Sequence, residues 1–236
     1  MRVLEADPDL GATVDPQQRQ AASFAAVAPL FTHPAGRWSF APPPDPAAAG
    51  ALILHGLIVV RIGVGGRAHL ELLGEGDIIS PWAGVGPDLA PPTAINATAI
   101  TDVRLALLDR NFALRTARWP EIQATLTQRL IARSRRLSVQ SAINAIPRIE
   151  ERLELTLWQL AYRFARVTRD GLCLRLGLTH AQMADMIAAQ RPSVTVALAR
   201  LEADGRLVRR SKHEWLLCGE EPPALSSLVQ QSGLAA

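Results

Sequence analysis

Hydrogen-bonding and cationic side chains recur at short intervals between residues 179 and 212: Thr179, His180, Gln190, Arg191, Ser193 and Thr195, then Arg206, Arg209, Arg210 and Lys212. Side chains of these types donate to phosphate oxygens, and a guanidinium also presents the paired donors that match the O6 and N7 acceptors of guanine. Elsewhere the chain groups no nucleophile with a base and an acid, and it has no glycine-rich phosphate loop. The chemistry on offer is recognition of a polyanion, and no catalytic residue is nominated.

Those side chains need rigid elements to aim them. Thr179 with Gln182 three residues on is a capping box, in which each side chain satisfies a backbone donor that the first helical turn leaves unpaired. Met183, Met186 and Ile187 follow at helical spacing, on a helix too short to stand alone. Ala188 to Gln190 is a small-residue corner, and Pro192 suits the first turn of a second helix, where its missing N–H costs nothing. Val194, Leu198 and Leu201 face inward on that helix and Asp204-Gly205 closes it, which leaves Arg191, Ser193 and Thr195 outward. This is a helix-turn-helix, whose second helix offers its amino-terminal side chains to the DNA major groove. Arg206 to Arg210, a turn over Ser211 to Glu214 and a return over Trp215 to Cys218 add a small hairpin, or wing.

The run LTHAQMADMIAAQRPSVTVALARLEADGRL with its hairpin resembles the winged helix-turn-helix of the Crp/Fnr family of bacterial transcription regulators. The resemblance implies an α+β chain in three parts: an amino-terminal antiparallel β-roll, jelly-roll-like, over 1–118, a dimerisation helix and hinge over 119–146, and a winged helix-turn-helix over 147–236. It implies double-stranded DNA, a second copy of the chain through 120–145 and RNA polymerase as partners. Arg191 stands where the family reads a base. Thr179, His180, Gln190, Ser193, Thr195, Arg209, Arg210 and Lys212 are the other candidate DNA contacts. Two positions depart from the family: Pro192 replaces a frequent glutamate and Val196 a second reading arginine, and neither can supply the hydrogen bonds it replaces.

Charge follows the same division. Residues 1–119 carry nine Arg/Lys against eleven Asp/Glu, and residues 120–236 carry sixteen against eleven, so the basic excess lies with the proposed reading head. Lys212 is the one lysine among the 25 cations. Cys173 and Cys218 form no CxxC and have no histidine at metal-ligand spacing, so buried, inert thiols are expected. The acidic start MRVLEADPDLGATV lacks the features of a signal peptide, and no apolar run approaches the roughly 20 residues of a membrane helix. A soluble cytoplasmic protein is expected.

In the amino-terminal half, Pro16 to Leu30 suggests a short helix with Phe24, Val27 and Leu30 on one side, and Phe40 to Gly50 interrupts regular structure with its prolines. Strands are expected at Leu52 to Leu54, Leu57 to Ile62, Ala68 to Leu73, Ile78-Ile79 and Asp102 to Leu108. The segment GLIVVRIGVGGRAHLELLGEGDII resembles the central strands of the family's cyclic-nucleotide-binding-like domain. Nucleotide-binding members follow it with a phosphate cassette that includes a glycine-glutamate pair and an arginine. Here Ala83 to Ala97 has no arginine, lysine or glutamate, so a buried phosphate would go uncompensated, which disfavours cyclic AMP. No cofactor is assigned. His55, His69, Glu71 and Glu75 lack the compact spacing of a cupin-like metal site, and the cysteine cluster of iron-sulfur members is absent.

Asp109 can cap a helix to about Ala117, and Trp119-Pro120 opens a longer one to about Ala145. Its residues Ile122, Leu126, Leu130 and Leu137, with Ser134 and Ser141, trace one face, either packed on the roll or forming a parallel dimer seam. Ser138 falls where nucleotide-binding relatives place a hydroxyl, and it is the possible pocket residue. Asn144 to Pro147 breaks the helix, and Ile149 to Val167 should form the next, with Trp158 and Tyr162 stacked a turn apart. The expected function is a dimeric, sequence-specific DNA-binding regulator, tuned through the roll by a ligand other than cyclic AMP or constitutively competent. The alternative is a non-enzymatic module whose winged domain binds protein.

Overall fold

The computed structural model describes residues 1–38, 48–79 and 94–225. Most of the proline-rich interruption at Phe40 to Gly50 and of the cassette stretch Ala83 to Ala97 lies outside the described residues. The chain divides into two compact units, residues 1–66 with 71–136, and residues 67–70 with those from 137 onward.

The strands of the amino-terminal half are β1 (Leu30–His33), β2 (Gly36–Arg37), β3 (Gly50–His55), β4 (Ile58–Val64), β5 (Arg67–Leu73), β6 (Ile78–Ile79), β7 (Ala94–Ala99) and β8 (Val103–Leu108). They form two four-stranded sheets, ordered β1-β8-β3-β6 and β2-β7-β4-β5. The registered pairs are antiparallel, β3 with β8 and β4 with β7 being the longest. Alternate side chains of a strand point to opposite faces, and β3 shows the consequence. Ala51 and Ile53 enter a core with Ile58, Val60, Leu73, Ala99 and Leu105, drawn from both sheets. Leu52, with Ala106 and Leu108 of β8, enters a second core under the amino-terminal helices. Burial on both faces explains why β3 is apolar from Ala51 to Leu54 rather than alternating.

The helices here are α1 (Val3–Ala6), α2 (Arg19–Ala25) and α3 (Arg110–Thr116), with a 3-10 turn at Pro8–Gly11. Asp109 caps α3 as expected, its Oδ1 accepting from the Phe112 amide at 2.8 Å. The expected apolar face of α2 does not form. Phe24 is exposed, with the Arg2 guanidinium 4.2 Å from its ring centroid, and Leu30 already belongs to β1, paired with Ala106. Strand pairing and a cation–π contact outcompete the helical pattern.

Helix α4 (Pro120–Asn144) runs for 25 residues, close to the expected limits. Its predicted single face divides. Ile122 and Leu126 are buried in the second core and Leu130 packs against it, so the opening turns of α4 belong to the roll. Three arginines continue that buried side, one turn apart. Arg129 pairs with Asp7. Arg133 makes a two-pronged contact with Glu71 at 2.7 and 2.8 Å and donates to the Ile78 carbonyl at 2.9 Å. Arg136 reaches the buried Asp77 at 2.6 Å. On the opposite side Ala124, Thr127, Ile131, Ser134, Ser138 and Ser141 are exposed at alternating steps of three and four, the heptad spacing of a two-helix seam. Leu137, expected on the buried face, is at the margin of exposure.

In the second unit α5 (Ile149–Phe164) is followed by β9 (Ala165–Thr168), β10 (Gly171–Arg175), α6 (His180–Met186), α7 (Arg191–Ala203), β11 (Leu207–Ser211) and β12 (Glu214–Leu217), the strands ordered β11-β12-β10-β9. The helix expected to reach Val167 stops at Phe164, because Ala165 to Thr168 pairs with β10 around a tight turn. Gly171 makes that turn possible: its φ is +138°, and a Cβ there would meet the Leu217 carbonyl oxygen at 2.2 Å. Trp158 is buried, whereas Tyr162 is exposed and its hydroxyl bonds to Glu221, so the two do not share one environment.

Candidate nucleic-acid interface

Helix α6 begins with the capping box read from sequence: Thr179 Oγ1 accepts from the Gln182 amide at 3.2 Å, and Gln182 Oε1 accepts from the Thr179 amide at 2.8 Å. Met183, Met186 and Ile187 are buried, as are Val194, Leu198 and Leu201 of α7. Pro192 occupies the first turn of α7, and Gly205 follows it with φ +69°. The corner holds one non-glycine residue in left-handed geometry, Ala188 at φ 51°, which costs roughly 1–2 kcal/mol.

Residues distant in sequence hold this corner. A helix of seven residues leaves its last carbonyls without intrahelical donors. Gln140 Nε2 and Asn144 Nδ2 donate to the Met186 carbonyl at 3.3 and 3.2 Å, and Arg152 donates to the Ile187 carbonyl at 2.9 Å. Gln140 is itself buried and also donates to Thr156 Oγ1 at 3.0 Å. These three supports went unrecognised in the sequence. The signal for them was the unpaired carbonyls of a short helix; nothing local indicates where their donors lie.

The candidate contact residues converge at the start of α7. Arg191 is exposed, Ser193 half-buried, and Thr195 exposed on the next turn, where its hydroxyl donates to the Arg191 carbonyl at 3.2 Å. That hydroxyl therefore accepts from His180 Nδ1, 3.0 Å away, and the neutral imidazole keeps Nε2 as its acceptor. Burial holds the His180 pKa below the ordinary histidine value, and the charges of Arg209 and Arg191 lower it further. Gln190 is exposed immediately before α7. Exposed Arg209 lies with its guanidinium 5.4 Å from the Trp215 ring centroid, and Lys212 is exposed at the hairpin turn.

The remaining wing cations are already engaged. Arg210 pairs with Asp170, and Arg206 pairs with the buried Glu154 of α5. Arg200 pairs likewise with Glu150. Cys173 Sγ donates to Glu214 Oε1 at 2.9 Å, and that bond, with burial, raises the thiol pKa, so the side chain is a poor nucleophile. Ser138 is exposed on α4. In the roll, His55 bonds to Glu75 at 2.9 Å and Glu71 is taken by Arg133.

A β-roll, a long helix and a winged helix-turn-helix define a DNA-binding transcription regulator. The Crp-like helix-turn-helix domain model matches residues 151–221. A CRP-like cAMP-activated global transcriptional regulator of Mycobacterium tuberculosis is 33% identical over 156 residues, which span 62% of this chain and 67% of that protein. In fold, the chain is similar to FixK2 from Bradyrhizobium japonicum, with TM-score 0.65, 18% identity and coverage of 86% of this chain and 97% of that one. A cyclic nucleotide-binding domain containing protein from Listeria monocytogenes gives TM-score 0.65 at 15% identity, covering 89% of this chain and 96% of that one. The chain belongs to the Crp/Fnr family of transcription regulators. Among the described residues no helix is long and apolar enough to cross a membrane.

Proposed function

We propose that the protein binds an inverted-repeat operator as a homodimer, each recognition helix entering one of two successive major grooves about 34 Å apart. The observation that carries this reading is the convergence of His180, Arg191, Thr195 and Arg209 at the exposed start of α7. Arg191 reads guanine through its two donors. Thr179, His180, Gln190, Ser193 and Thr195 hold phosphates or peripheral base edges, and Arg209, Arg210 and Lys212 neutralise the flanking backbone. The exposed heptad face of α4 supports the dimer, because Ala124, Ile131 and the small residues between them allow close helix approach. The Mycobacterium relative is named as cAMP-activated. In this chain, the missing cation between Ala83 and Ala97 favours a regulator that uses another effector or none.

The test is selection of random duplex DNA by the purified full chain at moderate salt without added ligand. An enriched inverted repeat with half-sites one helical turn apart supports the reading, and retention without a motif overturns it. Adding cyclic AMP to the enriched duplex should leave its Kd unchanged, and a tightening on addition would overturn the effector reading.

A further inference from the structure

The outermost face of the recognition helix is apolar. On α7 the buried positions are Val194, Ala197, Leu198 and Leu201. Diametrically opposite them, at steps of four, three and four, stand Pro192, Val196, Ala199 and Ala203, all exposed. Val196 is 51% exposed, and among these four side chains none carries a hydrogen-bonding group. Polar residues flank this strip: Arg191, Thr195 and Glu202 on one side, Ser193 and Arg200 on the other.

A lone exposed valine is ordinary on a protein surface. An apolar strip on the centre line of a helix whose opening turn lies beside the charges of Arg191 and Arg209 is a different matter. The flanking charge of Arg191 and Arg209 suits a polyanion rather than an apolar protein groove. Within the major groove the base-edge feature complementary to an aliphatic side chain is the C5-methyl group of a pyrimidine. Pro192 and Val196 would leave hydrogen-bonding edges unpaired if they faced guanine or adenine, and they would lose nothing against a methyl.

We propose that Val196, with Pro192 one turn before it, is a specificity-determining contact that reads the methyl group of a 5-methylpyrimidine in each half-site. The inference rests on the DNA-reading function above and specifies what the two non-arginine positions of the helix do there. Thymine supplies the methyl in unmodified DNA; 5-methylcytosine presents the same group.

The experiment uses the full chain and the duplex enriched from the random pool. Each half-site thymine is replaced in turn by deoxyuridine, which removes only the methyl, and by cytosine and 5-methylcytosine, each opposite guanine. Kd is measured by fluorescence anisotropy. At one thymine per half-site the wild-type protein should lose roughly fourfold in affinity per methyl removed. Val196→Ala should abolish that sensitivity while its melting temperature and salt slope stay those of the wild type. Val196→Thr, nearly isosteric, should weaken binding to the thymine duplex. If 5-methylcytosine at that site restores the affinity lost with cytosine, the methyl is read irrespective of its base; if only thymine does, the contact is to thymine itself, and both results support the proposal. An enriched motif with no methyl-sensitive position, or sensitivity unchanged in Val196→Ala, overturns the proposal and leaves the DNA-reading function standing. Absence of any enriched motif overturns both.

Discussion

The arginines of α4 and those at the start of α7 carry the same guanidinium into different surroundings. Arg129, Arg133 and Arg136 lie one turn apart against the roll, each on a carboxylate, and Arg133 is almost wholly buried on Glu71 and the Ile78 carbonyl. Arg191 is exposed and, like Lys212, forms no ion pair among the described residues. A buried pair is a structural element whose members cannot be removed singly, whereas an exposed cation is free to meet a ligand. The basic excess of the carboxy-terminal half divides in the same way. Around α7 and the wing, Arg200, Arg206 and Arg210 are each matched by a carboxylate, so the exposed cations left there without one, among the described residues, are Arg191, Arg209 and Lys212.

The largest expected effect tests the buried side. Arg133→Met should destabilise the protein by about 3–5 kcal/mol in urea unfolding, because Glu71 is left buried without its partner. Adding Glu71→Leu should recover most of that loss. If Arg133→Met unfolds like the wild type, the contrast between the two sets of arginines fails. Arg191→Ala should leave unfolding unchanged within about 0.5 kcal/mol yet cost about 1–3 kcal/mol of operator affinity and relax one half-site position. Equal loss on every duplex would remove its base-reading role.

His180 gives a smaller effect with a definite sign. In the free protein its pKa lies below 6.5, and the neutral ring presents Nε2 as an acceptor. A phosphate oxygen at Nε2 favours the protonated ring, so DNA binding takes up a proton and affinity should rise as pH falls through the window between the free and bound pKa values. Folding has the opposite dependence: a depressed histidine pKa contributes stability present above about 6.5 and lost as pH falls. His180→Gln should flatten the affinity profile, and a pH-independent wild-type Kd would remove the phosphate role. Lys212→Ala comes last, lowering the slope of log K against log salt by about 1 on all sequences alike. Arg210→Ala should lower it by less, since Arg210 must first leave Asp170.

The two units differ in how far neighbouring residues dictate their elements, for a physical reason. The reading head was legible because its punctuation is local: a capping box at Thr179 and Gln182, proline in the first turn of α7, and glycine after it each act within a few residues. The roll was legible mainly where strands are long and apolar. β1, β2 and β7 escaped recognition, as did the end of α5, because small or polar residues carry little strand pattern of their own and a partner decides them: Leu30 by Ala106, Gly36 by Ala99, Ala97 by Val60, Arg166 by Cys173.

The sequence by itself determined where the two short helices begin and end, which of their apolar residues turn inward, and that a hairpin follows, since backbone capping and helical periodicity are properties of neighbouring residues. Only the tertiary structure decided which side of α4 is covered, which arginines are consumed by carboxylates, and which distant donors hold the carbonyls at the end of α6. Those outcomes depend on burial and on partners as far away as Asp7 from Arg129 or Gln140 from Met186, and no local pattern encodes either.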